Sequence, residues 1–130
     1  MLDDLAAVLR ADARIAYALV FGSVATGAAH PHSDVDVAIG VRSSARLGVT
    51  DLGDLASKLE EAAGRQVDLV LLDEAPPGLA YRIFRDGLVI TSLDEVALKA
   101  RRARAILEYL DFCPIEDLCT KGVLAATHGR

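Results

Sequence analysis

The chain has 130 residues, 52% of them hydrophobic but only 5% aromatic, with a net charge of −5 and two cysteines. That length suits a single domain, read over 1–130 with a C-terminal helix and tail from about residue 93, and is enough to bury an aliphatic core without disulfide or metal staples. The acidic balance argues against direct nucleic-acid binding, no apolar run reaches the ~20 residues a membrane span needs, and the acidic start Met1-Leu2-Asp3-Asp4 lacks the order of a signal peptide, so a cytoplasmic location is expected.

Leu2, Leu5, Ala6 and Leu9 recur at helical spacing and predict a first helix ending near Ala11. Ile15 to Phe21 is short, apolar and rich in β-formers, hence a strand closed by Gly22-Ser23. Ser23 is expected to cap a single helical turn over Val24 to Gly27. Ala28 to Ser33, with His30-Pro31-His32, is loop, and the two histidines read as solvated. Val35, Val37 and Ile39 alternate with Asp34, Asp36 and Ala38, the period of a second strand.

Gly40 to Gly48 is loop. Thr50 is expected to cap a third helix whose stripe is Leu52, Leu55, Ala56, Leu59 and Ala63, with Gly64 as its stop. Val67 to Leu72 is a third strand with Asp68, Val70 and Leu72 on one face. Asp73 begins a turn over Pro76-Pro77, followed by a short helix around Leu79 to Arg85 and a fourth strand, Leu88 to Thr91. Ser92-Leu93-Asp94-Glu95 matches a capping box. The long helix after it is expected to bury Leu93, Val96, Ala97, Ala100, Ala103, Ile106, Leu107 and Leu110 and to leave Lys99, Arg101, Arg102 and Arg104 in solvent. Tyr109 and Phe112 read as packing, and Pro114 ends the helix before a short apolar cluster. Cys113 and Cys119 lack CxxC spacing and read as idle thiols. The class is α/β, one small sheet flanked by helices.

Three acids stand out. Asp34 and Asp36 leave one face of a strand with their Cα atoms about 6.6 Å apart. Carboxylates at that spacing suit a divalent cation, and Mg²⁺ takes such oxygens together with phosphate oxygens and water. A glycine and a serine at a helical turn admit a phosphate close to the backbone. The two elements meet only if the first and second strands are antiparallel neighbours. A right-handed crossover then sets the third strand parallel to the second and brings Asp68 to the same edge. This chemistry is phosphoryl or nucleotidyl transfer.

Gly22-Ser23, ten residues, then Asp34-x-Asp36 resembles the signature of the DNA polymerase β-like nucleotidyltransferase superfamily. Phe21-Gly22-Ser23-x-Ala25-x-Gly27, Ser33-Asp34-Val35-Asp36 and the late Tyr109-Leu110-Asp111-Phe112 with Pro114 resemble its minimal nucleotidyltransferase branch. The resemblance implies a mixed sheet with the site at one edge. It implies Asp34, Asp36 and Asp68 as catalytic acids and metal ligands for Mg²⁺, and Gly22 and Ser23 on the phosphates of ATP. Members of the branch act as antitoxins that transfer AMP to a tyrosine of a HEPN-domain ribonuclease toxin, so such a toxin is the expected partner. This chain departs from many relatives at Val24 and Thr26, where they carry arginines. Two alternatives accompany this expectation: an antitoxin that neutralises by binding alone, and a transferase acting on a small molecule such as an antibiotic.

Overall fold

In the computed structural model, which describes residues 1–28 and 33–112, four strands form one mixed sheet in the order β3-β2-β1-β4. The elements are α1 (Leu2–Arg10), β1 (Ile15–Phe21), α2 (Ser23–Thr26), β2 (Val35–Val41), α3 (Val49–Ala63), β3 (Val67–Leu71), a 3₁₀ turn (Leu72–Glu74), α4 (Pro77–Asp86), β4 (Leu88–Ser92) and α5 (Glu95–Phe112). β1 pairs antiparallel with β2 and β2 parallel with β3, as expected from bringing the motif residues together, and β1 also pairs antiparallel with β4, a neighbour the sequence did not place. His30, His32, Cys113, Pro114, Cys119 and the side chain of Phe112 lie outside the described residues.

Each face of the sheet is covered. Leu5 and Leu9 of α1 and Leu55 and Leu59 of α3 pack on Ile15, Ala18, Val20, Val35, Val37 and Ile39. On the other face Ala80 and Ile83 of α4 and Leu98 and Ala105 of α5 pack on Tyr17, Leu19, Ala38 and Leu72. The strict alternation along β3 puts Val67, Leu69 and Leu71 into the first layer and Leu72 into the second, as its period-two pattern requires.

Local hydrogen bonding corrects several sequence expectations. Gly22, not Ser23, is the N-cap of α2, with φ 73° and ψ −151°, which leaves Ser23 as the first helical residue. Gly48, not Thr50, precedes α3, and its N–H donates to the Asp51 carboxylate at 2.9 Å. The Ser92 capping box does not form. The N–H groups of Leu93 and Asp94 both donate to the Ala16 carbonyl, which prolongs the β1–β4 pairing. Asp94 then caps α5, accepting from the Ala97 N–H at 3.0 Å. Pro77 opens α4 at a position where its missing N–H costs nothing, so this helix starts earlier than the Pro-Pro pair suggests.

The largest correction concerns α5. Its buried face is Leu98, Arg101 and Ala105, with Ala97 partly covered. Val96, Ile106, Leu107 and Leu110 are exposed instead. Arg101, expected in solvent, is 5% exposed. Its Nη2 donates to the Leu72 carbonyl at 2.9 Å, and Asp73 and Glu108 stand 3.4 and 3.8 Å from its other nitrogens. A guanidinium on a long aliphatic stem crosses the layer and ties α5 to the end of β3. Tyr109 packs as expected, stacked on Tyr81 at 4.0 Å between ring centroids.

Two local predictions follow from this packing. The Tyr17 ring lies directly over Gly40, its register partner, and burial, with Asp73 nearby, pushes the phenol up to about 12. A methyl at position 40 would meet that ring, so Gly40→Ala is expected to destabilise by about 1–3 kcal/mol in denaturant unfolding. At the α1–β1 turn the Asp12 carboxylate accepts from the Arg14 backbone N–H, Nε and Nη2 at 3.0, 3.0 and 2.8 Å. Arg14 also reaches Asp51 at 3.2 Å, linking the turn to α3. These bonds hold Asp12 below its ordinary pKa, so its contribution is present above the unfolded value near ~4 and lost as pH falls through the folded one. Asp12→Asn should therefore lower the melting temperature at neutral pH, with the difference from wild type shrinking on acidification below ~4.

Candidate active site

The site is assembled at the edge where β1 ends and β2 and β3 begin. Phe21 is the register partner of Asp36 across the antiparallel pair, and Asp36 is the partner of Asp68 across the parallel pair. Two hydrogen bonds set the start of both strands. The Val35 N–H donates to the Gln66 carbonyl at 2.9 Å, and the Val67 N–H donates to Glu60 Oε2 of α3 at 3.1 Å. The residues after these anchors are Asp36 and Asp68, so the anchors align the two acids.

Asp36 is half-buried, whereas Asp34 and Asp68 are exposed. Burial first, and then the neighbouring Asp68 and Asp34 charges, push the Asp36 carboxyl above the ordinary aspartate range. An acid held in this way is unfavourable for the fold unless a cation arrives. Among the described residues no three acid, histidine or cysteine side chains enclose a metal ion by themselves. Asp34, Asp36 and Asp68 stand together at this strand edge, and carboxylate oxygens are the donor type that Mg²⁺ takes.

Gly22 lies against this acid. An added Cβ at position 22 would strike Asp36 Oδ2, so the glycine is the space in which that carboxylate sits. Its φ and ψ also belong to a region that only glycine occupies readily. Ser23 follows at the start of α2, half-buried. The structure therefore brings Gly22, Ser23, Asp34, Asp36 and Asp68 to one edge. Beside them Val24 packs on the core and the Thr26 hydroxyl donates back to the Gly22 and Ser23 carbonyls at 3.3 and 3.4 Å.

Asp73 belongs elsewhere. It lies beyond the far end of β3 and pairs with Arg101 and Arg104. Arg85 is held by Asp86 at 2.8 Å, and Arg82 Nε donates to the Gly78 carbonyl at 3.3 Å within α4. The residue that sequence reasoning missed is Glu60. Its spacing on α3 marks only a polar position, yet it holds the start of β3.

Residues 3–96 match the family model described as polymerase beta, nucleotidyltransferase. No curated protein matches the chain in sequence. Among solved structures, the chain is similar to one from a toxin–antitoxin complex with AMP-PNP, at 21% identity and a TM-score of 0.74 over 98% of each chain. It is also similar to one from an MntA–HepT toxin–antitoxin complex, at 19% identity and a TM-score of 0.66 over 98% of this chain and 97% of that one. A third comes from a Shewanella oneidensis complex of a tri-AMPylated HEPN toxin with an MNT antitoxin, at 19% identity and a TM-score of 0.67 over 98% and 97% of the two chains. At these identities the likeness is one of fold.

Proposed function

This chain belongs to the polymerase beta nucleotidyltransferase family, and we propose that it transfers AMP from ATP to a tyrosine hydroxyl of a cognate HEPN toxin and so acts as its antitoxin. The observation that carries this reading is the register of Phe21, Asp36 and Asp68 across three neighbouring strands, with Gly22 against Asp36. Two structural relatives support the choice of reaction: one complex contains AMP-PNP, and another pairs an MNT antitoxin with a tri-AMPylated HEPN toxin.

In this reading Asp34 and Asp36 would hold Mg²⁺, with Asp68 as the third carboxylate, and the cation would supply the positive charge that a triphosphate and departing pyrophosphate require. Gly22 and Ser23 receive the phosphates through backbone N–H groups and the serine hydroxyl. Asp68, the exposed acid in register with Asp36, takes the proton of the attacking hydroxyl. The tyrosine oxygen bonds to the α-phosphorus, the bond from that phosphorus to the β-phosphate oxygen breaks, and pyrophosphate leaves with its electron pair.

The test is incubation with ATP labelled on the α-phosphate, Mg²⁺ and a HEPN-domain protein offered as the cognate toxin. Label is expected on a toxin tyrosine and on none of the controls lacking the chain or Mg²⁺. An unlabelled toxin whose ribonuclease is nevertheless silenced would favour neutralisation by binding alone. That second reading is motivated by Val24 and Thr26, which are occupied by packing and by helix carbonyls.

A further inference from the structure

Asp36 and Asp68 are register partners, but the sheet holds them unequally. β2 lies between β1 and β3, so ladder hydrogen bonds fix the strand of Asp36 from both sides. β3 is an edge strand of five residues that pairs with β2, and Asp68 is its second residue. Short edge strands open first at their ends. An acid that must stand beside Asp36 at such an end needs a second hold.

Successive residues of a strand direct their N–H groups to opposite sides. The Val35 N–H takes the Gln66 carbonyl, so the Val67 N–H points away from β2, to the side on which no strand lies among the described residues. Val67 is buried, and a buried N–H without an acceptor is costly. Glu60, half-buried in the last turn of α3, meets that need, since its Oε2 accepts the Val67 N–H at 3.1 Å. The Glu60 carbonyl also accepts the Gly64 N–H at 2.9 Å, where Gly64 turns the chain out of the helix at φ 69°. One residue thus closes α3 with its main chain and opens β3 with its carboxylate, one peptide before Asp68. An ionised acceptor makes that bond stronger than a neutral ladder bond. The far end of β3 is held separately. Arg101 binds the Leu72 carbonyl there, roughly 13 Å of strand beyond Asp68.

We propose that Glu60 is a positioning residue for Asp68: by holding the Val67 N–H, its carboxylate keeps the start of the edge strand in the register that sets Asp68 beside Asp36. What Glu60 holds follows from geometry alone, whereas the consequence for catalysis rests on the nucleotidyl-transfer reading.

The test has two readouts on the full chain. The first is amide hydrogen exchange by NMR without ATP or Mg²⁺. Glu60→Ala is expected to speed exchange of the Val67 amide at least about tenfold, and Glu60→Gln by less than about threefold, because the glutamine oxygen still accepts. The second is AMP transfer from ATP to a HEPN-domain protein offered as the cognate toxin. Glu60→Ala should lower kcat about tenfold or more with KM for ATP within about threefold, and Glu60→Gln should keep kcat within about threefold of wild type. In an Asp68→Asn background, Glu60→Ala should lower kcat less than about twofold further, because its effect passes through the acid already removed. Arg101→Met, which loosens the far end of β3, should lower the melting temperature and keep kcat within about twofold.

Val67 exchange unchanged in Glu60→Ala overturns the anchor. Faster exchange with unchanged kcat, or an equal loss of kcat in the Asp68→Asn background or in Arg101→Met, overturns the positioning role and leaves the transfer reading standing. No transfer by wild type overturns the transfer reading and the positioning role together.

Discussion

Asp36→Asn is expected to reduce AMP transfer by about three orders of magnitude or more while the protein stays folded and melts no lower than wild type. The two halves of this expectation have one cause. Asp36 sits half-buried between Asp34 and Asp68, and burial and both charges work against its ionised form. The amide has nearly the same shape and no charge, so it relieves that repulsion. What it removes is the anionic ligand of the proposed mechanism, and metal-borne charge stabilisation in such transfers amounts to several kcal/mol, the equivalent of a thousandfold or more in rate. Residues placed for function commonly cost stability in this way. Single-turnover transfer with labelled ATP, beside a calorimetric melt of the same samples, checks both halves. Transfer within tenfold of wild type would remove Asp36 from the proposed metal set. A large drop in melting temperature would assign it a structural role instead.

Gly22→Ala is the second large effect, and here stability and activity should fall together. The backbone at Gly22, φ 73° and ψ −151°, is close to forbidden for any residue with a Cβ. Forcing alanine into it costs about 1–3 kcal/mol. The new methyl also lands on Asp36 Oδ2, so relaxation must displace either the β1–α2 turn or the carboxylate. Either movement shifts a proposed ligand by a distance that typically lowers rates about a hundredfold. Denaturant unfolding should show a lower midpoint, and residual transfer should not recover at saturating ATP. An unchanged midpoint together with unchanged transfer would show that the turn tolerates a side chain, and Gly22 would lose its place in the site.

The reach of the sequence differs from element to element. The strands were legible because β1 is a short apolar run of β-formers, β2 alternates, and their ends carry glycine or acids. The pairing of β1 with β2 followed from asking how Gly22 and Asp36 can meet, and the structure has them in that register. Helix starts were less legible. Ser23, Thr50 and Ser92 are residues that favour caps, but at each start a neighbour made the better hydrogen bonds: the Gly22 backbone, Asp51 with Gly48, and Asp94. Capping preference describes a residue in isolation, whereas the β1–β4 pairing claimed Leu93 and Asp94 before the helix could begin.

The helix α5 shows where the reading failed and why. Its apolar residues do recur at helical spacing, and the reading took the richest stripe to be the buried one. The sheet instead received Leu98, Ala105 and the stem of Arg101, and left Val96, Ile106, Leu107 and Leu110 outside. Periodicity states that a face is apolar; it does not state what covers it. From local pattern this chain's sequence determined the strands; the antiparallel β1–β2 pair followed from requiring Gly22 and Asp36 to meet, and the parallel β2–β3 pair, with Asp68 at the same edge, from the crossover rule. Tertiary structure alone decided the rotation of α5, the burial of Arg101 against the Leu72 carbonyl, and the placing of Asp36 in the space of a missing Cβ. Those depend on which surfaces compete for the same side of the sheet, and no single segment carries that information.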